Sequence, residues 1–440
     1  MKWGVGEKFM ELHIILKTAF EVALMGAFLL SVGYFLLTAF SLALSRLRNH
    51  PEIIEDTSKY PTVTIQIPTY NELAALNCAN CCLAFDYPKE KLQIIIGDDS
   101  NEPEISQRID AFAVANPRIE ISRRGSNEGF KPGNLNAMLP KSTGDYLLIL
   151  DSDFLPQPDF LKRLVVPVIK DPSLAGAQAA WKIINVHDNH STLMGTGIVN
   201  IVHNVLLPFL KTVTNSCVFC GSGELVKKSD LIELGGWTLG ALTEDVDYSL
   251  RAIIAGKRIA YLEDLQVKCE VPYTPGDLFR QQMRWAYGVM RAFMAHGRKL
   301  FLSRTIQKRT KFAAFCFGSG YVMITLLLLT GILGTLNLIS GMLGLDPAAT
   351  QSPSYTLGNL VYDTAVNILL TCGMLVSSIA AGFINGFGFR NIGKLVVASF
   401  TIGVICMFFV GRGLITAWFG LPMKWFMLRK AGNEQVPAAS

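Results

Sequence analysis

A polar segment, residues 60–280, lies between apolar runs of membrane length, and this division governs what the chain can fold into. The run from Leu12 to Leu44 carries few charges and exceeds the ~20 residues an α-helix needs to cross a bilayer. A cleaved signal peptide has a shorter apolar core and a small-residue cleavage site; here Arg46 and Arg48 follow instead. The positive-inside rule puts these arginines, and the polar segment behind them, in the cytoplasm. After a basic stretch from Arg291 to Lys311, the run from Phe312 to Phe389 holds no Lys or Arg. Helices are expected at 313–342, 360–386 and 395–419, with Arg390 and Lys394 marking a cytoplasmic turn. Arg412 interrupts the last of these, and Lys424, Arg429 and Lys430 follow it. Three crossings would put those charges outside. Either the last segment bends back or lies partly in the interface, or the charge rule does not hold there. The expected division is an N-terminal transmembrane helix (1–48), a cytosolic domain with interfacial helices (49–300), and C-terminal transmembrane helices with a short tail (301–440).

A formal net charge of +5 over 440 residues is too small to argue for nucleic acid, and the basic residues cluster at membrane flanks. The nine cysteines suggest no disulfide framework. Cys78, Cys81 and Cys82 lack a second Cys/His pair at zinc spacing and read as small residues on a buried helix face.

Within the polar segment, Val63–Ile67, Leu92–Ile96 and Tyr146–Leu150 read as buried strands. Helical patterns such as Asn71–Ala84 and Pro103–Ala115 lie between them. This alternation predicts an α/β domain with a mostly parallel sheet, in which ligands bind at the carboxyl ends of strands. Asp98-Asp99 and Asp151-Ser152-Asp153 both fall directly after a strand. Segments near 189–212 and 286–303 mix apolar and polar residues and fit either interfacial or ordinary surface helices.

The chemistry-bearing residues follow from these positions. Asp151 and Asp153 form a DxD that can ligate a hard divalent cation bridging phosphates, or simply a turn. Asp98 and Asp99 can accept hydrogen bonds from a base and a ribose, with Pro68-Thr69-Tyr70-Asn71-Glu72 as the facing wall; Thr69 and Asn71 are also good helix caps. Lys131 can meet a phosphate or remain a solvated lysine. In Thr243-Glu244-Asp245, Asp245 is the candidate general base, and Thr243 nearly fits a capping box. Gln281 and Arg284 share one helix face, where Arg284 can clamp a diphosphate and Trp285 can stack on a sugar; a membrane-interface anchor is the plain alternative.

Taken in order, Ile67–Glu72, Asp98–Ser100, Lys131–Ala137, the DxD, Thr243–Asp245 and Gln281-x-x-Arg284-Trp285 resemble the family 2 membrane glycosyltransferases, which include cellulose, chitin and hyaluronan synthases. Gln178–Lys182, Gly235-Gly236-Trp237 and Lys430-Ala431-Gly432 are similar to the cellulose synthase-like A and C enzymes, and Phe219–Ser222 resembles an acceptor-site motif of bacterial cellulose synthases. Pro132 departs from the pattern, standing where a small Ala is usual. The resemblance implies a GT-A fold, Mg2+ or Mn2+, and inversion at the anomeric carbon. It implies that Thr69, Tyr70, Glu72, Asp98, Asp99, Lys131 and Asp151 bind the nucleotide sugar, and that Asp151 and Asp153 hold the metal. It further implies that Glu244, Asp245 and Arg284 are catalytic, and that Gly221, Ser222, Gln281 and Trp285 meet the acceptor. The expected reaction is hexose transfer from UDP-glucose or GDP-mannose to a growing β-glycan, with single transfer to a lipid as the alternative. A nucleotide-sensing transporter or receptor is the rival of another class. It is disfavoured because Asp346 and Asp363 are the charged residues between Phe312 and Phe389. The expected location is the plasma membrane in a prokaryote and the Golgi in a plant-like cell.

Overall fold

The computed structural model describes residues 3–44, 53–343 and 357–423. Arg46, Arg48, Asp346, Lys424, Arg429 and the Lys430-Ala431-Gly432 motif lie outside them.

Seven strands form one sheet: β1 (Val63–Thr69), β2 (Leu92–Asp98), β3 (Ile119–Ser122), β4 (Tyr146–Ile149), β5 (Leu174–Ile183), β6 (Glu224–Lys227) and β7 (Arg258–Cys269). Their order is β3-β2-β1-β4-β6-β5-β7. Strands β1 to β4 run parallel, as do β5 and β7, while β6 runs antiparallel to both its neighbours. The apolar runs in β2 and β4 are explained by burial on both faces, which is how strands in a covered parallel sheet read, while β1 is equally buried but pairs its polar Thr64 and Gln66 with Gln93 and Ser142. One face carries Ile65, Ile67, Ile94 and Ile96. The other carries Ile95, Leu147 and Ile149 in a core that also contains Tyr34 and Leu37 of the N-terminal helix. Because Thr69 pairs with Asp98, the β1 and β2 ends are level, and Asp151 follows β4 at the same edge. Cys78 and Cys82 are buried free thiols on the Ala74–Leu83 helix.

Among the described residues, three helical stretches have the length and apolarity to cross a membrane, or up to five if each of two bent pairs counts as one span. Two are the N-terminal helix Trp3–Leu44 and the helix Lys308–Met342. The expected helix 360–386 is instead two, Leu357–Thr371 and Gly373–Ile384, bent by 58°. The Gly373 amide donates to Ser31 Oγ at 2.9 Å, and a side chain at Gly373 would begin 2.3 Å from the Ser31 carbonyl oxygen, so the chain turns against the N-terminal helix. The expected helix 395–419 is likewise Phe389–Phe400 and Ile402–Trp418, bent by 48°. The stretch His190–Thr214, broken by a π-turn at Val202–Leu206, is neither a surface helix nor a peripheral one: 78% of its apolar window is buried inside the protein. The long helix Pro275–Leu302 packs on the last helix so tightly that a side chain at Gly413 would start 2.5 Å from the Met283 carbonyl oxygen.

Candidate active site

The β1 and β2 ends are joined through loop contacts. Asn71 takes a positive φ of 54°, its amide donates to Ser100 Oγ at 2.9 Å, and its side chain accepts from the Asn101 amide at 3.0 Å. Thr69 Oγ donates to the Glu72 carbonyl. Thr69, Tyr70, Glu72 and Asp99 line the large cavity at this edge. Asp98 does not. Its carboxylate is buried and accepts from the Ser100 amide, Ser106 Oγ and Arg123 Nε at 2.7–3.0 Å. Burial alone would raise its pKa, yet these hydrogen bonds hold it below the usual carboxylate range. Asp99 is gripped by Arg124 through two hydrogen bonds of 2.9 and 2.6 Å, while burial keeps its pKa above the ordinary value.

Opposite this wall, the Phe130–Met138 helix is anchored by Asn134 Nδ2, which donates to the Gly97 carbonyl at 2.8 Å. Asn136 exchanges two hydrogen bonds with the Trp237 backbone, joining the Lys131 and Gly-Gly-Trp motifs. Lys131 thereby reaches the centre of the cavity. Its ammonium lies 2.8 Å from Asp151 and 3.0 Å from Glu244, and it also donates to the Gly221 carbonyl. Burial works against that charge, but Asp151, Glu244 and Glu224 overcome it and keep the lysine protonated. Ser152 Oγ donates to Glu72, and the Asp151 amide donates to Ser222 Oγ at 2.9 Å. Ser222, expected at the acceptor, is wholly buried and supports the DxD backbone instead.

Asp245 sits in the first turn of the Glu244–Ile254 helix. Burial, then the neighbouring Glu244 charge, raise its pKa to about 7, against the opposing pull of Lys131. A carboxylate poised there suits general-base work. The capping-box reading of Thr243 does not hold: its side chain makes no cap, and its Oγ has no hydrogen-bond partner among the described residues. Gly221 faces Asp245 with a φ of 88°, and its amide donates to Glu224 at 3.0 Å. Burial and Asp245 push Glu224 well above the ordinary carboxylate range.

Gln281, Gln282, Arg284 and Trp285 present one stretch of the Pro275–Leu302 helix to the cavity. Arg284 is half-buried, and its buried Nε has no hydrogen-bond partner among the described residues. Burial depresses its pKa, and the charges of Glu244, Asp151, Asp245 and Glu72 counter that. This helix is clamped to the Glu244–Ile254 helix by His296 Nε2, 2.7 Å from Asp247, which also binds Arg251 at 2.9 Å. The two helices touch where a side chain at Gly288 would begin 2.6 Å from the Thr243 methyl. Gly288→Val is therefore expected to push Thr243–Asp245 aside and reduce turnover on the order of 100-fold, since a 1 Å misplacement costs that much. Unchanged turnover in the folded variant would show that this contact does not set Asp245.

The structure thus brings Asp99, Lys131, Asp151, Asp153, Glu244, Asp245, Gly221, Arg284 and Trp285 to one cavity. The sequence profile described as "Glycosyl transferase family group 2" matches residues 146–428, more than half of the chain. The chain belongs to this glycosyltransferase family. It is 30% identical over 263 residues to the probable glucomannan 4-beta-mannosyltransferase 7 of Oryza sativa subsp. japonica, covering 58% of this chain and 45% of that protein. It is 32% identical over 245 residues to the glucomannan 4-beta-mannosyltransferase 9 of Arabidopsis thaliana, covering 54% and 46%. The chain spans about half the length of the curated relatives it matches. Among solved structures, it is similar to the mannosyltransferase PcManGT from Pyrobaculum calidifontis in complex with GDP-Man and Mn2+. That likeness has a TM-score of 0.57 at 18% identity over 86% of this chain and 98% of the other, and it shows the fold: a GT-A-like mixed sheet. The glycosyltransferase assignment, the α/β fold and the cellulose synthase-like relationship expected from the motifs therefore stand.

The cavity of this glycosyltransferase fits a divalent cation on charge grounds. Glu72, Asp99, Asp151, Asp153, Glu244, Asp245 and Glu270 line it against the cations Lys131 and Arg284, so an anionic diphosphate needs added positive charge there. Among the described residues no cluster of three or more His, Cys, Asp or Glu stands ready to hold a metal. A Mg2+-like ion shared with substrate phosphates needs one or two carboxylates, and Asp151 and Asp153 are the ones that would supply them. Glu224, Arg124, Asn134 and His296 were not among the residues expected from sequence. A lone acid in the otherwise apolar Glu224–Val226 strand was the available signal for the first; Arg124 and Asn134 carried none beyond their nearness to Lys131.

Proposed function

We propose that this membrane glycosyltransferase carries out inverting hexose transfer from a nucleotide sugar to an acceptor hydroxyl, with its catalytic domain on the cytosolic side. The observation that carries the proposal is the meeting of Asp99, Asp151, Asp245 and Arg284 in one cavity. Thr69, Tyr70 and Asp99 line the nucleoside end, with Asp99 held rigid by Arg124 and Asp98 serving the loop behind it. Lys131 and Arg284 face the diphosphate. Asp151 and Asp153 would hold Mn2+ or Mg2+, which supplies charge neutralisation at the leaving diphosphate. Asp245 takes the proton as the acceptor oxygen bonds to the anomeric carbon; the bond from that carbon to the diphosphate oxygen breaks, and its electron pair leaves with the nucleotide. Glu244 holds Lys131 in place, and Gly221, Gln281 and Trp285 border the acceptor side. The relatives named as mannosyltransferases, and the GDP-Man in the PcManGT complex, favour GDP-mannose over UDP-glucose as donor.

Nucleotide release from the purified chain, tested with UDP-glucose, UDP-N-acetylglucosamine, UDP-galactose and GDP-mannose, checks the reading. Release with one donor is the expected result. No release and no nucleotide binding in a folded sample would overturn it. Chelation is expected to abolish release, and Mn2+ or Mg2+ to restore it. Release indifferent to chelator would remove the metal from the proposal.

A further inference from the structure

The cavity does not end at Asp245. It continues between the N-terminal helix, the 190–206 stretch, the Lys308–Met342 helix and the Gly373–Ile384 helix. Its wall there is mostly apolar, with Ile198, Val202, Leu206, Phe317, Ile324 and Met374 outnumbering Tyr321 and His203. The Tyr34 hydroxyl is buried in this wall with no hydrogen-bond partner among the described residues. Gly320 makes room for it, since a side chain there would begin 2.7 Å from that hydroxyl.

We infer that the acceptor is an amphiphile whose hydrocarbon tail fills this apolar extension while its hydroxyl head group meets Asp245. This rests on the glycosyltransferase reading of the site and names its acceptor class. A glycan threaded through the same space would have to bury several hydroxyls on each ring against aliphatic side chains, each losing its hydrogen bonds to water without replacement. A hydrocarbon chain gains from the same wall, roughly three- to fourfold in affinity per buried methylene. The Tyr34 hydroxyl supplies a donor for an ester, phosphate or glycosidic oxygen at the junction of head and tail.

The test uses the full chain in phospholipid nanodiscs, with the donor that supports nucleotide release and a series of methyl, octyl and dodecyl hexosides as acceptors. KM is expected to fall by on the order of 10³–10⁴-fold from methyl to octyl, seven methylenes at that factor, with kcat nearly constant. Ile324→Trp, which narrows the extension, is expected to abolish that tail dependence. Ile332→Trp, at an exposed position of the same helix, should leave it intact and so controls for partitioning into the bilayer. A dodecyl hexoside bearing a photoreactive tail should label wild-type peptides spanning 198–206 or 317–324, a readout that does not depend on any variant folding. A KM independent of tail length, labelling confined to the outer helix faces, or elongation of a short soluble oligosaccharide into polymer would overturn the inference. In each of those cases transfer still occurs, whereas failure of the enzyme reading itself shows as no nucleotide release with any acceptor.

Discussion

Asp245→Asn is expected to cut transfer by about 10²–10⁴-fold while nucleotide binding persists, the range in which general-base catalysis contributes. The variant keeps the volume of the side chain and removes the proton acceptor. The wild-type pH profile of kcat/KM should show an acidic limb near pH 7. Burial and Glu244 raise the Asp245 pKa to about 7, so the base is protonated and idle below that pH and becomes available as pH rises through it. The limb should vanish from the residual rate of the variant. An acidic limb that survives in Asp245→Asn, or a rate within a few-fold of wild type, would assign the base elsewhere.

Arg284→Ala is the second large effect, a loss of roughly 10²–10³ in kcat, as when one preorganised donor to developing charge is removed. Arg284 is half-buried with its Nε out of reach of solvent and faces Glu244, Asp151, Asp245 and Glu72, so its guanidinium sits in a sheltered, acidic setting that strengthens its pull on a departing diphosphate. Its removal also strips a cation from beside Asp245, so the acidic limb of any residual activity should move to higher pH. A variant that raises KM for the donor but leaves kcat alone would place Arg284 in ground-state binding instead.

The sheet and the site edge were legible because β2 and β4 are largely apolar on both faces and lead directly into acids, a pattern that burial and strand-end chemistry force together. Within those ends the sequence could not separate Asp98 from Asp99. Adjacent residues at a strand end point opposite ways, and which one faces the cleft depends on Arg123 and Arg124, brought in by β3. Ser222 was placed at the acceptor by its motif, yet the antiparallel insertion of β6 turns its hydroxyl toward the Asp151 amide. Hydropathy found the apolar spans but not the bends at Cys372 and Thr401, because the first arises from a contact with Ser31, 342 positions away in the chain.

Lys131 bears on how the reaction cycle begins. With its ammonium between Asp151 and Glu244, Lys131 is an internal counter-ion, and a divalent ion binding Asp151 alone would have to displace it at an electrostatic loss. A diphosphate arriving with the ion offers the lysine a new anionic partner and lets the exchange balance. If Asp151 and Asp153 hold a divalent ion as proposed, arrival as a preformed metal–nucleotide complex would be favoured, and once product leaves the same lysine would return the vacated carboxylates to charge neutrality.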